Sequence, residues 1–258
     1  MASSGADRVE AVPGARDRSR PVASSAALLA ALAAHPALLG STGSADVLDI
    51  GGGSGTLALA LGSQGHRVRV VDPSPDAIAA VARRAAEQGL ADRVTGVVGD
   101  VASVGSHAGG AGLVCLHDVL EYVEDPAVAL AAVRAVTVRG GLLSVVVPQR
   151  GAAVLGRALA GHPAQALVAL HAADGRWGPS DPAPWRFDRG EVVALVTAAG
   201  FAVESVRGER VVSDLVPGAL LDADPGTRRA YRALEDELAG DPAFAAVAGR
   251  LHLLAVAV

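Results

Sequence analysis

The sequence predicts a doubly wound α/β fold, a seven-stranded sheet with helices on both faces, and three observations point to it. A strand-like run, Ala45-Asp46-Val47-Leu48, leads directly into the glycine loop Asp49-Ile50-Gly51-Gly52-Gly53-Ser54-Gly55-Thr56-Leu57. Asp72 stands 23 positions after Asp49, at the end of a second apolar run, Val68-Arg69-Val70-Val71. Strand-like and helix-like segments then alternate along the rest of the chain, as the crossover connections of a parallel sheet require.

Taken in order, residues 1–21 are rich in Gly, Pro, Arg and Ser and read as a mobile N-terminal segment, so the folded domain is expected over 22–258. Ser24 or Ser25 is placed to cap a helix running to about 34. The first strand is expected at 46–50 and a helix at 55–63, which Gly65 ends. The second strand spans 67–71, and Asp72-Pro73-Ser74-Pro75-Asp76 then forms a turn and helix start. The alanine-rich stretch after it is helical to about 88, where Gly89 closes it. Further strands are expected at 93–98, 113–116 and 142–147. A helix is expected at 126–138, with Arg139-Gly140-Gly141 as the turn after it. Residues 148–188, with prolines, two tryptophans, histidines and arginines, break the alternation and read as a substrate or lid insertion after strand five. A helix at 189–199, a strand at 201–207, a helix near 226–239 and a last strand at 251–256 complete seven strands.

Composition narrows the class. About half of the 258 residues are apolar, enough to bury a full core as one domain with an embellishment. The 22 basic residues are all arginine, and the formal charge of -5 argues against extensive contact with nucleic acid, which depends on neutralising phosphates. The one cysteine, Cys115, lies inside the apolar run 112–116, which leaves no disulfide framework and no thiolate metal site. No His/Asp/Glu cluster has the spacing of metal ligands, so no metal is expected. Residues 16–45 imitate a secretory signal, but His35-Pro36 interrupts the apolar run and cleavage near Ala45 would cut at the first strand. A cytoplasmic protein without a membrane span is expected.

Several residues are candidates for chemistry. Glycines at 51, 53 and 55 let the backbone turn sharply and approach a ligand closely. A carboxylate where Asp72 stands typically accepts the two hydroxyls of a ribose, the plainer alternative being a cap for the helix after Pro73. Asp49 either orients a ligand's ammonium group or caps the glycine loop. Counted from Gly51, the G-x-G-x-x-G fingerprint of nicotinamide and flavin sites would put its third glycine at Thr56, so a nicotinamide oxidoreductase fits poorly.

The pattern that does stand, D-x-G-x-G-x-G over 49–55, resembles motif I of class I S-adenosylmethionine (SAM) methyltransferases, with their Rossmann-like sheet and antiparallel last strand. Gly53 belongs to that loop. Gly99-Asp100-Val101 after the third strand resembles the adenine site of these enzymes, where the acid takes the exocyclic amine and the next residue packs on the ring; a plain turn aspartate is the rival. His117-Asp118-Val119-Leu120-Glu121-Tyr122-Val123-Glu124-Asp125-Pro126 resembles the segment that lines their methyl-transfer pocket. Asp118 and Glu121 lie one helical turn apart and read as solvated acids.

With the run at 139–147, Gly161-His162 and Gly249-Arg250-Leu251-His252, the chain is similar over roughly 24–257 to the bacterial tRNA 5-carboxymethoxyuridine methyltransferases. That resemblance implies SAM as co-substrate, methyl transfer to the carboxylate of a modified wobble uridine, and cofactor contacts from Gly51, Gly52, Asp72, Val101 and His117. An arginine that this family places before the first strand falls at Ser25 in the ungapped register, with Arg18 and Arg20 as shifted candidates.

The reading is therefore an in-line methyl transfer to a carboxylate or hydroxyl oxygen. A carboxylate acceptor needs no base, being ionised at neutral pH, whereas a hydroxyl acceptor makes His117 the candidate catalytic base. The acceptor is either tRNA or a small molecule. Arg150, Arg157, Arg176, Arg186 and Arg189 in and beside the insertion are candidates for a phosphate or carboxylate fork, with Trp177 and Trp185 as stacking platforms; lid packing is their other reading. A catalytically silent SAM-binding module is the remaining alternative.

Overall fold

The computed structural model describes residues 25–107, 109–221 and 224–258, and of His107 only the backbone. The N-terminal segment, Ser24, Arg18 and Arg20 lie outside the described residues. Helix α1 is Ser25–Ala34, followed by strand β1 (Asp46–Ile50), α2 (Thr56–Ser63), β2 (Arg67–Asp72), α3 (Pro75–Glu87), β3 (Val94–Val98) and the short α4 (Val104–His107). Next come β4 (Ala111–His117), α5 (Pro126–Val136), β5 (Thr137–Pro148), α6 (Arg150–Leu159) and α7 (Pro163–His171). The chain continues with α8 (Arg189–Ala198), β6 (Phe201–Glu209), α9 (Gly218–Leu221), α10 (Pro225–Ala239), α11 (Pro242–Ala245) and β7 (Arg250–Ala257).

Helix starts follow a local rule. Ser74-Pro75, Asp125-Pro126, Asp224-Pro225 and Asp241-Pro242 each put an oxygen-bearing cap before a proline whose fixed φ suits the first helical position. Asp188 begins α8 through a reciprocal capping box with Glu191.

The seven strands form one sheet in the order β3-β2-β1-β4-β5-β7-β6. All neighbours are parallel except β7, which runs antiparallel to both β5 and β6. Period-two alternation divides the core between the two faces. Leu48, Ile50, Val114, Leu116, Leu143, Val145, Leu251 and Leu253 pack under α5 and α8. Val47, Val68, Val70, Leu113, Cys115 and Leu142 pack under α1, α2 and α3. The order of strands reverses between β1 and β4, so their carboxyl ends open a crevice where ligands of such sheets bind.

Three local expectations change. The helix expected to 138 ends at Val136, and Arg139-Gly140-Gly141 is a bulge inside β5 instead of a turn. Gly140, with φ +74°, takes up the irregularity as pairing moves from Ala111–Thr137 to Leu113–Leu142. The insertion holds two packed helices, α6 and α7, before its irregular stretch at 172–188. The segment after β4 is a run of turns, so Asp118 and Glu121 do not share a helical face: Asp118 pairs with Arg250, and Glu121 is buried.

Candidate active site

The glycine loop sits at the carboxyl end of β1 and is shaped by contacts that exclude side chains. Gly51, at φ +70°, would place a Cβ 2.3 Å from Val119 Cγ2. A Cβ on Gly52 would lie 2.4 Å from Asp49 Oδ2 and 3.0 Å from Val70 Cγ1. Gly53, at φ +54°, donates its N–H to Asp72 Oδ2 at 2.9 Å. The other oxygen of Asp72 accepts from Ser74 N at 2.9 Å, which closes the turn into α3. Asp72 is buried and tied to the loop, while Ser74 supplies the helix cap itself.

Asp49 is 2 % exposed, and its Oδ2 has no hydrogen-bond partner among the described residues. Burial, with the nearby Asp72 charge as a smaller cause, pushes its carboxyl up to about 7. A buried carboxylate oxygen without a partner among the described residues, beside Gly51 and Gly52 where no Cβ fits, suits a cationic donor reaching in from the crevice. The residues present thus fit the ammonium of SAM at Asp49 and its ribose at Asp72.

Asp100 is exposed and engaged locally. Its Oδ1 accepts from Ser103 N at 2.8 Å, and that backbone bond is the main reason its carboxyl sits below the usual range. Val101 packs into the core with Val71, Leu116 and Leu120. The turn geometry is the role the contacts of Asp100 display.

His117 ends β4 one residue beyond the Ile50–Leu116 pair, level with Gly51. Its Nε2 lies 2.7 Å from Ser144 Oγ, and the same oxygen lies 2.9 Å from Nε2 of His252. The three side chains occupy one face of neighbouring strands β4, β5 and β7, because Cys115 pairs with Ser144 and Val146 with both His117 and His252. The rings of His117 and His252 meet edge to face with centroids 6.0 Å apart. His252 Nδ1 stands 3.7 Å from Glu209 Oε1. Burial, then His252 and Arg250, pushes His117 down to about 3; burial, then Arg207, pushes His252 down to about 4. Both rings are neutral at neutral pH. Ser144 was not singled out in the sequence, although a lone hydroxyl in Leu-Leu-Ser-Val-Val-Val was its signal. Glu209, near the end of β6, carried no such mark.

The arginines of the insertion do not converge on a fork. Arg150 binds both oxygens of Glu191 (2.7 and 3.0 Å), and Arg186 forms a two-pronged pair with buried Asp181. Burial alone would raise the Asp181 carboxyl, but Arg186 and the N–H groups of Trp177 and Ala183 outweigh it and hold it low. Arg157 stacks 4.4 Å over the Trp177 ring, Arg176 donates to Pro179 O, and Arg189 is exposed. Trp185 packs against the core.

Residues 48–145 match a protein-family model described as a methyltransferase domain. A stretch of 100 residues is 34 % identical to the tRNA 5-carboxymethoxyuridine methyltransferase of Escherichia coli strain K12, covering 38 % of this chain and 38 % of that protein. The match thus spans well under half the length of this curated relative. Among solved structures, magnesium protoporphyrin IX methyltransferase (ChlM) from Synechocystis PCC 6803 with bound SAH has a TM-score of 0.58 at 17 % identity, covering 91 % of this chain and 82 % of that one. The [4+2]-cyclase SpnF has a TM-score of 0.56 at 18 % identity, covering 90 % of this chain and 80 % of that one, a likeness of fold alone. Residues 48–145 therefore resemble a methyltransferase domain, and the chain has the seven-stranded Rossmann-like fold seen in the solved methyltransferase structure.

Proposed function

We propose that this protein is a SAM-dependent methyltransferase acting on an oxygen nucleophile. The observation that carries the reading is the buried Oδ2 of Asp49, without a partner among the described residues, beside the Gly51-Gly52-Gly53 loop that Asp72 fastens from β2. When bound, SAM supplies a sulfonium-activated methyl group and leaves as S-adenosylhomocysteine. Asp49 holds the ammonium, Asp72 accepts ribose hydroxyls, and Gly51 and Gly52 let backbone approach where a side chain would collide. Asp100 and Val101 line the adenine end, and His117 borders the acceptor. Such a site works chiefly by positioning and by excluding water.

Two acceptor classes have support of different kinds. The 34 % match favours the carboxyl of tRNA wobble 5-carboxymethoxyuridine, which would place the activity in the cytoplasm. The internal engagement of Arg150, Arg157 and Arg186, with the net charge of -5, favours a small hydroxyl-bearing molecule. Offering bulk tRNA that carries carboxymethoxyuridine and following S-adenosylhomocysteine separates them. Turnover supports the tRNA acceptor. SAM binding without turnover on that tRNA favours a small acceptor, and SAM binding without release on any acceptor describes a silent binding module.

A further inference from the structure

We infer that Glu209, His252 and Ser144 form a directional hydrogen-bond relay that fixes the tautomer of His117, leaving its Nδ1 as a bare acceptor for a hydroxyl-bearing methyl acceptor. The inference rests on the methyl-transfer reading for the role of His117; the relay itself stands on geometry alone.

The Ser144 hydroxyl owns one proton and lies between two imidazole Nε2 atoms, at 2.7 and 2.9 Å. With both rings neutral it donates to one and accepts from the other, so the chain has two possible directions. Glu209 breaks the tie. At 3.7 Å its Oε1 is beyond hydrogen-bond length from His252 Nδ1, yet its charge stabilises the N–H dipole at that nitrogen over a lone pair. His252 with Nδ1–H has a bare Nε2, which accepts from Ser144 O–H. Ser144 Oγ then accepts from His117 Nε2–H, and the lone pair of His117 is left on Nδ1, for which no hydrogen bond stands among the described residues.

The charges facing the relay do not reverse this order. Arg207 on β6, opposite His252, and Arg250 on β7, paired with Asp118, disfavour a second proton on either ring and so keep the relay neutral. A bare nitrogen at the acceptor side repels a carboxylate and attracts an O–H. His117 Nδ1 accepts a hydrogen bond from the acceptor O–H and aims its oxygen; as that oxygen bonds to the methyl carbon and the carbon–sulfur electron pair returns to sulfur, the hydroxyl proton passes to solvent and the ring stays neutral. Ser144, His252 and Glu209 are positioning residues in this scheme.

The test reads tautomers by long-range 1H–15N correlation on the full chain with 15N-labelled histidine, without SAM or acceptor. In the wild type at pH 7, His117 is expected as the Nε2–H form with about a tenfold or greater preference, which falls to within about threefold in Glu209→Gln. Ser144→Ala is expected to uncouple His117 from the Glu209 substitution. A wild-type His117 carrying its proton on Nδ1, or a tautomer unmoved by Glu209→Gln, would overturn the relay. Turnover on tRNA carrying carboxymethoxyuridine would overturn the hydroxyl acceptor while leaving methyl transfer intact. Failure to bind SAM would instead remove the methyltransferase reading without touching the tautomer result.

Discussion

Asp49 keeps a carboxylate where apolar burial alone would forbid one, and the cost is visible in its titration. Its folded pKa of about 7 exceeds the ordinary 3.8, so the stability linked to it is present at low pH and lost as pH rises through about 7. Asp49→Asn should therefore stabilise the ligand-free protein at pH 8 by about 1–2 kcal/mol, a rise of a few degrees in Tm, with the gain shrinking toward pH 4. The same variant should weaken SAM binding at least tenfold in calorimetry, because the ammonium loses its charge partner. The histidines have the opposite sign. His117 and His252 have folded values of about 3 and about 4 against 6.5, so their contribution is present above pH 6.5 and lost as pH falls through those values. Urea unfolding across pH 4 to 7 should show stability falling on the acid side, and His252→Gln should flatten that limb.

At the scale of elements, the β1–α2 loop and the segment after β4 are made for one another. Gly51→Ala meets both a left-handed φ and the Val119 Cγ2 atom, and should cost about 1–3 kcal/mol and weaken SAM binding. Adding Val119→Ala removes the collision and leaves the φ penalty, so the double variant should recover part of the loss, measured by thermal unfolding. The insertion depends on the Arg186–Asp181 pair, whose carboxylate side chain is fully buried. Asp181→Ala strands the Arg186 guanidinium and leaves the backbone N–H groups of Trp177 and Ala183 without their acceptor, so protease should cleave within 172–188 several-fold faster while the sheet core keeps its protection.

Across the whole molecule, what the sequence made legible was what local chemistry specifies. The glycine loop, the cap-proline helix starts and the seven alternating strands follow from residues near each other in the chain. The bulge at Gly140 did not, because a glycine pair after a helix looks the same whether the strand starts before it or after it. Nor did the partnership of His117, Ser144 and His252, which comes from three strands and exists only through the β4-β5-β7 register. The arginines of the insertion were legible as candidates, but their engagement by Glu191, Asp181 and Trp177 is a tertiary fact.

The decisive measurement is calorimetric titration of the folded chain with SAM, with Asp72→Ala titrated beside it. Saturable one-to-one binding is expected of the wild type, and at least tenfold weaker binding of Asp72→Ala with its Rossmann-like sheet intact by circular dichroism. A folded wild-type chain that takes up no SAM, or an Asp72→Ala variant that binds it equally well, would contradict the assignment of this crevice to SAM.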